Sequence, residues 1–109
     1  MSKCSFRVSS DPSSTFDMVK QGQDAELLEE DFKNLGDGKQ MGILVFEKFF
    51  FRTNSRASLV VIIDNINGYT NVNAVGSGGG NGMIFKFDWG VADDFASSVQ
   101  NILRNYLIV

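Results

Sequence analysis

Residues 40–52 read Gln40-Met-Gly-Ile-Leu-Val-Phe-Glu-Lys-Phe-Phe-Phe-Arg52, and after a polar break residues 58–66 read Ser58-Leu-Val-Val-Ile-Ile-Asp-Asn-Ile66. Both stretches have the β-branched and aromatic content of strands, and Asn54-Ser55-Arg56 between them supplies a turn. Side chains alternate across a strand. In the first stretch Ile43, Val45, Phe49 and Phe51 therefore share one side while Leu44, Phe46 and Phe50 share the other. In the second, Val60, Ile62 and Ile66 oppose Leu59, Val61 and Ile63. An antiparallel sheet with one wet face should alternate apolar with polar residues, and this pair does not. Both of its faces need cover.

Working outward, Leu35-Gly36-Asp37-Gly38-Lys39 is a hairpin turn leading into the first stretch. It requires a strand before it within 24–35, where Leu28-Glu29-Glu30-Asp31-Phe32 is read as extended although Leu28, Phe32 and Leu35 also fit a helical stripe. Asn67-Gly68 turns the second stretch into a further strand, Tyr69 to Val75. Gly76 to Gly82 is read as a loop, and Met83 to Asp88 as one more strand. At the N-terminal end, Cys4, Phe6 and Val8 alternate with polar residues. Asp11-Pro12 then opens a short helix that Gly22 ends. A long amphipathic helix is expected from Val91 to Leu107, with Val91, Phe95, Val99, Ile102, Leu103, Tyr106 and Leu107 on its apolar stripe, Asp93 and Asp94 in its first turn and Arg104 near its end. The fold class is thus α+β: an antiparallel meander with a short N-terminal helix and a long C-terminal helix packed on it, in one domain over residues 1–109.

Composition narrows the function. The 109 residues carry 43% hydrophobic and 21% charged side chains, an ordinary globular balance. There is no histidine, so His-based acid/base chemistry, the Ser-His-Asp and Cys-His nucleophiles and the commonest transition-metal ligand are excluded. The one cysteine, Cys4, cannot form an intrachain disulfide and reads as an inert thiol on an apolar face. The basic start, Met-Ser-Lys-Cys-Ser-Phe-Arg, is not followed by an apolar signal region, and the longest aliphatic run, Leu59 to Ile63, is far short of the ~20 residues of a membrane-spanning helix. A cytoplasmic location is expected. A net charge of −3 opposes nucleic-acid binding.

The remaining motifs carry little chemistry. Gly76-Ser77-Gly78-Gly79-Gly80-Asn81-Gly82 matches neither phosphate-loop spacing and opens no helix. Asp64 and Asp88 stand at strand ends, where turn and cap roles suffice for them. Lys48, Arg52 and Arg56 form the one basic cluster, on a hairpin tip. No catalytic residue, metal site or cofactor is assigned. The expectation is a non-enzymatic module that binds or self-associates through the two-faced sheet, as a homo-oligomer with Leu44, Phe50, Leu59, Val61 and Ile63 at the interface.

The order of strand, helix, hairpin at Gly36-Asp37-Gly38 with Gly42 beyond, meander and C-terminal helix resembles the helix-grip superfamily of START and plant-allergen type. This chain is shorter and has fewer strands. The resemblance implies an alternative function, a hydrophobic small molecule held between sheet and helix by Phe46, Ile62, Phe85, Phe87, Phe95 and Val99. The runs Leu35-Gly-Asp-Gly-Lys, Val45-Phe-Glu-Lys-Phe-Phe, Val60-Val-Ile-Ile-Asp-Asn and Phe87-Asp-Trp-Gly also resemble a family of small uncharacterised bacterial proteins, to which no activity is attached.

Overall fold

A computed structural model describes residues 2–51, 54–78 and 89–108. In chain order the elements are β1 (Ser2–Val8), α1 (Pro12–Gly22), β2 (Glu26–Gly36), β3 (Lys39–Phe50), β4 (Ser55–Asp64), β5 (Thr70–Gly78), α2 (Trp89–Ile102) and β6 (Leu107–Ile108). The strands form one antiparallel sheet in the order β2-β3-β4-β5-β1-β6. Both helices pack on the same face of it, α1 over β3 and β4 and α2 over β5, β1 and β4. The α+β meander with a short helix and a C-terminal helix is the observed architecture.

Local chemistry explains the elements. Asp11 caps α1 from an extended conformation (φ −72°, ψ 162°), its carboxylate accepting from the Ser14 amide at 3.3 Å, while Pro12 occupies the first turn, where no amide donor is needed. The Thr15 hydroxyl donates to the Asp11 carbonyl at 2.8 Å, and Phe16 and Val19 are buried beneath. Residues 26–36 are a strand, as the hairpin requires. Gly36 pairs with Lys39, leaving Asp37 (φ 56°) and Gly38 (φ 77°) as a two-residue loop with both φ positive, whose twist matches that of the flanking strands.

Three expectations need correction. Gly76, Ser77 and Gly78 are not loop but the end of β5, pairing with Leu59, Ser58 and Ala57 of β4. The physical reason is the approach of α2: a Cβ on Gly76 would run into the Ala92 carbonyl, so glycine lets helix and strand backbones meet. The C-terminal helix starts earlier and stops earlier than expected. Its last helical bond in this region runs from the Leu103 amide to the Val99 carbonyl at 3.2 Å; a 3₁₀ turn, Arg104–Tyr106, then delivers Leu107 and Ile108 to the edge of β1. That edge would otherwise leave backbone groups unpaired, and the Ser9 amide donating to the Tyr106 carbonyl at 2.8 Å joins the same repair. Asp93 and Asp94 consequently lie beyond the first turn of α2, Asp93 accepting from the Ser2 hydroxyl at 3.0 Å. The strand expected at Met83–Asp88 falls outside the described residues.

Candidate functional sheet face

Strand register decides which apolar side chains are core. On the helix side, Leu44 pairs with Val61, Phe46 with Leu59 and Gly42 with Ile63, and β5 continues the rows with Ala74, Gly76 and Val72. Leu44, Leu59, Val61 and Ile63 have 0% exposure, and they form one cluster with Phe95, Val99 and Leu103 of the C-terminal segment. Phe50 lies at the same layer, its ring edge-on to Phe95 at 5.4 Å. The five residues expected at an oligomer interface are therefore covered by the chain's own helices. Of the two sheet faces, only the opposite one is left open by the helices. The reason is parity: neither strand's pattern reveals which of two apolar faces a helix will take, and only the register with the helices settles it.

The residues expected to grip a ligand divide as well. Phe46, Phe95 and Val99 lie together in the sheet–helix layer with at most 3% exposure, filling the core. Ile62 points to the other face, paired with Ile43. Phe85 and Phe87 lie outside the described residues.

The face left uncovered is organised in rows across the sheet. One runs Glu29, Val45, Val60, Val75 and Lys3; the next runs Asp31, Ile43, Ile62, Asn73 and Ser5; a third runs Lys33, Met41, Asp64, Asn71 and Arg7. Met41, Ile43, Val45, Phe49, Val60, Ile62 and Val75 are each only partly buried. Phe49 extends this strip towards the hairpin end, where its ring meets Phe51 edge-on at 5.1 Å and Phe51 is 90% exposed. The strip is thus apolar at its centre and charged at both margins.

The margins differ in sign. On β2 the uncovered face presents Glu26, Glu29, Asp31 and Lys33; on β1 it presents Lys3 and Arg7. Some charges are already used: Arg56 Nε donates to Glu47 at 2.8 Å and its Nη2 lies 3.8 Å from Glu26, and Lys33 lies 3.1 Å from Asp31. Lys48, expected with Arg56 in a basic cluster, is paired with Asp24 at 2.9 Å. Carboxylates therefore answer both described members of the expected basic cluster, and Arg52 lies outside the described residues.

At one corner of the same face is an open groove of about 760 Å³ whose lining includes Ser5, Arg7, Asp64, Asn71, Asn73 and Ile66. Arg7 stacks over the Tyr69 ring at 4.7 Å, and Asp64 accepts from the Ile66 amide at 3.2 Å, a turn-forming role. Asp88, the other carboxylate expected at a strand end, lies outside the described residues. Cys4 faces the helices, donating to the Gln100 side chain at 3.2 Å; burial, with the nearby Asp93 charge second, raises its thiol pKa above the ordinary value and keeps it protonated. Among the described residues no three Cys, Asp or Glu side chains gather as a metal-holding group, and no helix is long and apolar enough to cross a membrane.

Compared with known proteins, residues 1–107 match the model of a family described as "Family of unknown function (DUF6054)". No curated protein and no solved structure matches the chain significantly.

Proposed function

The chain belongs to DUF6054, a family of unknown function, and we propose that it acts as a non-enzymatic module that self-associates through the sheet face its helices leave uncovered. One observation carries the reading: Met41, Ile43, Val45, Phe49, Val60, Ile62 and Val75 form a contiguous, partly exposed apolar strip on that face. Water-facing strands normally present polar residues there. The surface is also large enough. Five strands about 4.8 Å apart and about ten residues long on average give a face of roughly 19 by 32 Å, a projected ~600 Å² that is on the order of the ~800 Å² of accessible area per partner in a stable interface.

Edge-to-edge growth of the sheet is the weaker route. The β2 edge carries Glu26, Glu29, Glu30, Asp31 and Lys33, and the opposite edge is the two-residue β6; charges and short strands both discourage strand addition. The gripped-ligand alternative has less support, because Phe46, Phe95 and Val99 already fill the layer between sheet and helix. The reading also places the module in the bacterial cytoplasm, on the single unpaired cysteine and the resemblance to small bacterial proteins.

Sedimentation velocity on the untagged protein tests this. A dimer or larger assembly is expected, and Val60→Asp or Val75→Asp should give a monomer whose far-UV circular dichroism is unchanged. A wild-type monomer at about 0.1 mM, a concentration that would populate any interface worth more than about 6 kcal/mol, overturns the reading. So does an assembly that survives both substitutions.

A further inference from the structure

The uncovered face is charged asymmetrically, and this restricts how two copies can meet. Two aligned sheets packed face to face by a two-fold axis have two simple arrangements, with the axis in the interface running either along the strands or across them. An axis across the strands lays β2 on the partner's β2. It brings Glu26, Glu29 and Asp31 against the same three carboxylates of the other copy, and Lys3 and Arg7 against their own counterparts. An axis along the strands exchanges the edges, so β2 of each copy lies over β1 of the other.

We infer, on the premise that this face self-associates, that the two-fold axis runs parallel to the strands and seats the acidic β2 margin of each copy on the basic β1 margin of its partner. With β4 at the axis, the row Glu29-Val45-Val60-Val75-Lys3 becomes self-complementary. Val60 meets Val60 of the other copy, Val45 meets Val75, and Glu29 meets Lys3 twice over, once at each side. Asp31 in the next row stands over Ser5 of the other copy, between that copy's Lys3 and Arg7. The cost falls in the third row, where Lys33 stands over Arg7; Lys33 is already compensated by Asp31 at 3.1 Å. Neither Lys3 nor Glu29 makes a salt bridge within the chain among the described residues, and both are exposed; Glu29 Oε1 accepts from the Glu30 amide at 3.1 Å, which leaves its other carboxylate oxygen for a partner.

Reciprocal charge exchange decides the axis. Lys3→Glu and Glu29→Lys should each weaken the homodimer on the order of tenfold, because each turns two symmetry-related attractions into repulsions. An equimolar mixture of the two variants should form a heterodimer about as tight as wild type, and the double variant Lys3→Glu/Glu29→Lys should recover homodimerisation. Wild-type association should also weaken as ionic strength rises from about 0.05 M to about 0.5 M. A Glu29→Lys variant that dimerises more tightly than wild type identifies the axis across the strands and overturns the proposal. Dissociation constants indifferent to all three variants overturn it too, yet leave the face itself in place provided Val60→Asp still yields monomers; if Val60→Asp does not, the premise has failed instead.

Discussion

Phe16 lies directly over Gly42: a Cβ built on that glycine would stand 2.5 Å from the ring's Cδ1, and 3.0 Å from Phe32. The ring is itself held edge-on to Phe32 at 5.2 Å with 7% exposure, so it has nowhere to retreat. In this way α1 is seated on β3 through a missing side chain.

Gly42→Ala should therefore destabilise the fold by about 1–3 kcal/mol, the range for overpacking a closed core, despite the better strand propensity of alanine. Urea titration of Gly42→Ala, Phe16→Leu and the double variant checks it. The pair should be coupled, with the double variant less destabilised than the two singles added together. Additive losses would mean that the ring does not sit over Gly42.

Leu44 separates the two faces of β3 experimentally. At 0% exposure in the cluster under the helices, Leu44→Ala should cost about 2–5 kcal/mol of stability. Val45→Ala, on the uncovered face one residue along, should cost well under half of that in the monomer. Chemical denaturation at matched, dilute concentration reads the difference. Equal losses would place a helix on both faces.

Asp11 ties helix α1 to pH. Hydrogen bonds from the Ser14 side chain and then the Ser14 amide hold its carboxyl below the usual carboxylate value, so its folded pKa is depressed relative to the unfolded chain. The sign follows: the cap's charged form adds stability above the unfolded value near 3.8, and that increment is lost as pH falls through the folded value. Asp11→Ala should cost about 1 kcal/mol at pH 7 and much less near pH 3. A loss that is the same at both pH values would show that the carboxylate charge is not what caps the helix.

How much of this was legible in the sequence varies by element. The Asp37-Gly38 hairpin, the Asp11-Pro12 helix start and the two-sided apolar strands follow from local rules, since positive φ, capping and period-2 alternation depend on neighbours in the chain. The α+β class follows from them. The end of α2 was not legible, because Tyr106 and Leu107 continue the helical spacing; what overrides it is the unpaired edge of β1, about a hundred residues away. Gly76 and Gly78 likewise read as loop, although the close approach of α2 makes Gly76 a strand residue.

The uncovered face was the furthest from view. By itself the sequence determined that both faces of β3 and β4 are apolar, that no histidine or disulfide chemistry exists within the chain, and that turns join the strands into a meander. Tertiary structure alone decided that Leu44, Leu59, Val61 and Ile63 lie under the helices while Val45, Val60 and Ile62 do not, and that Glu29 and Lys3 end opposite sides of one row. The physical reason is that alternation defines two faces without labelling them. Two helices approaching from one side supply the label, and strand order, a long-range property, sets which charges border what is left open.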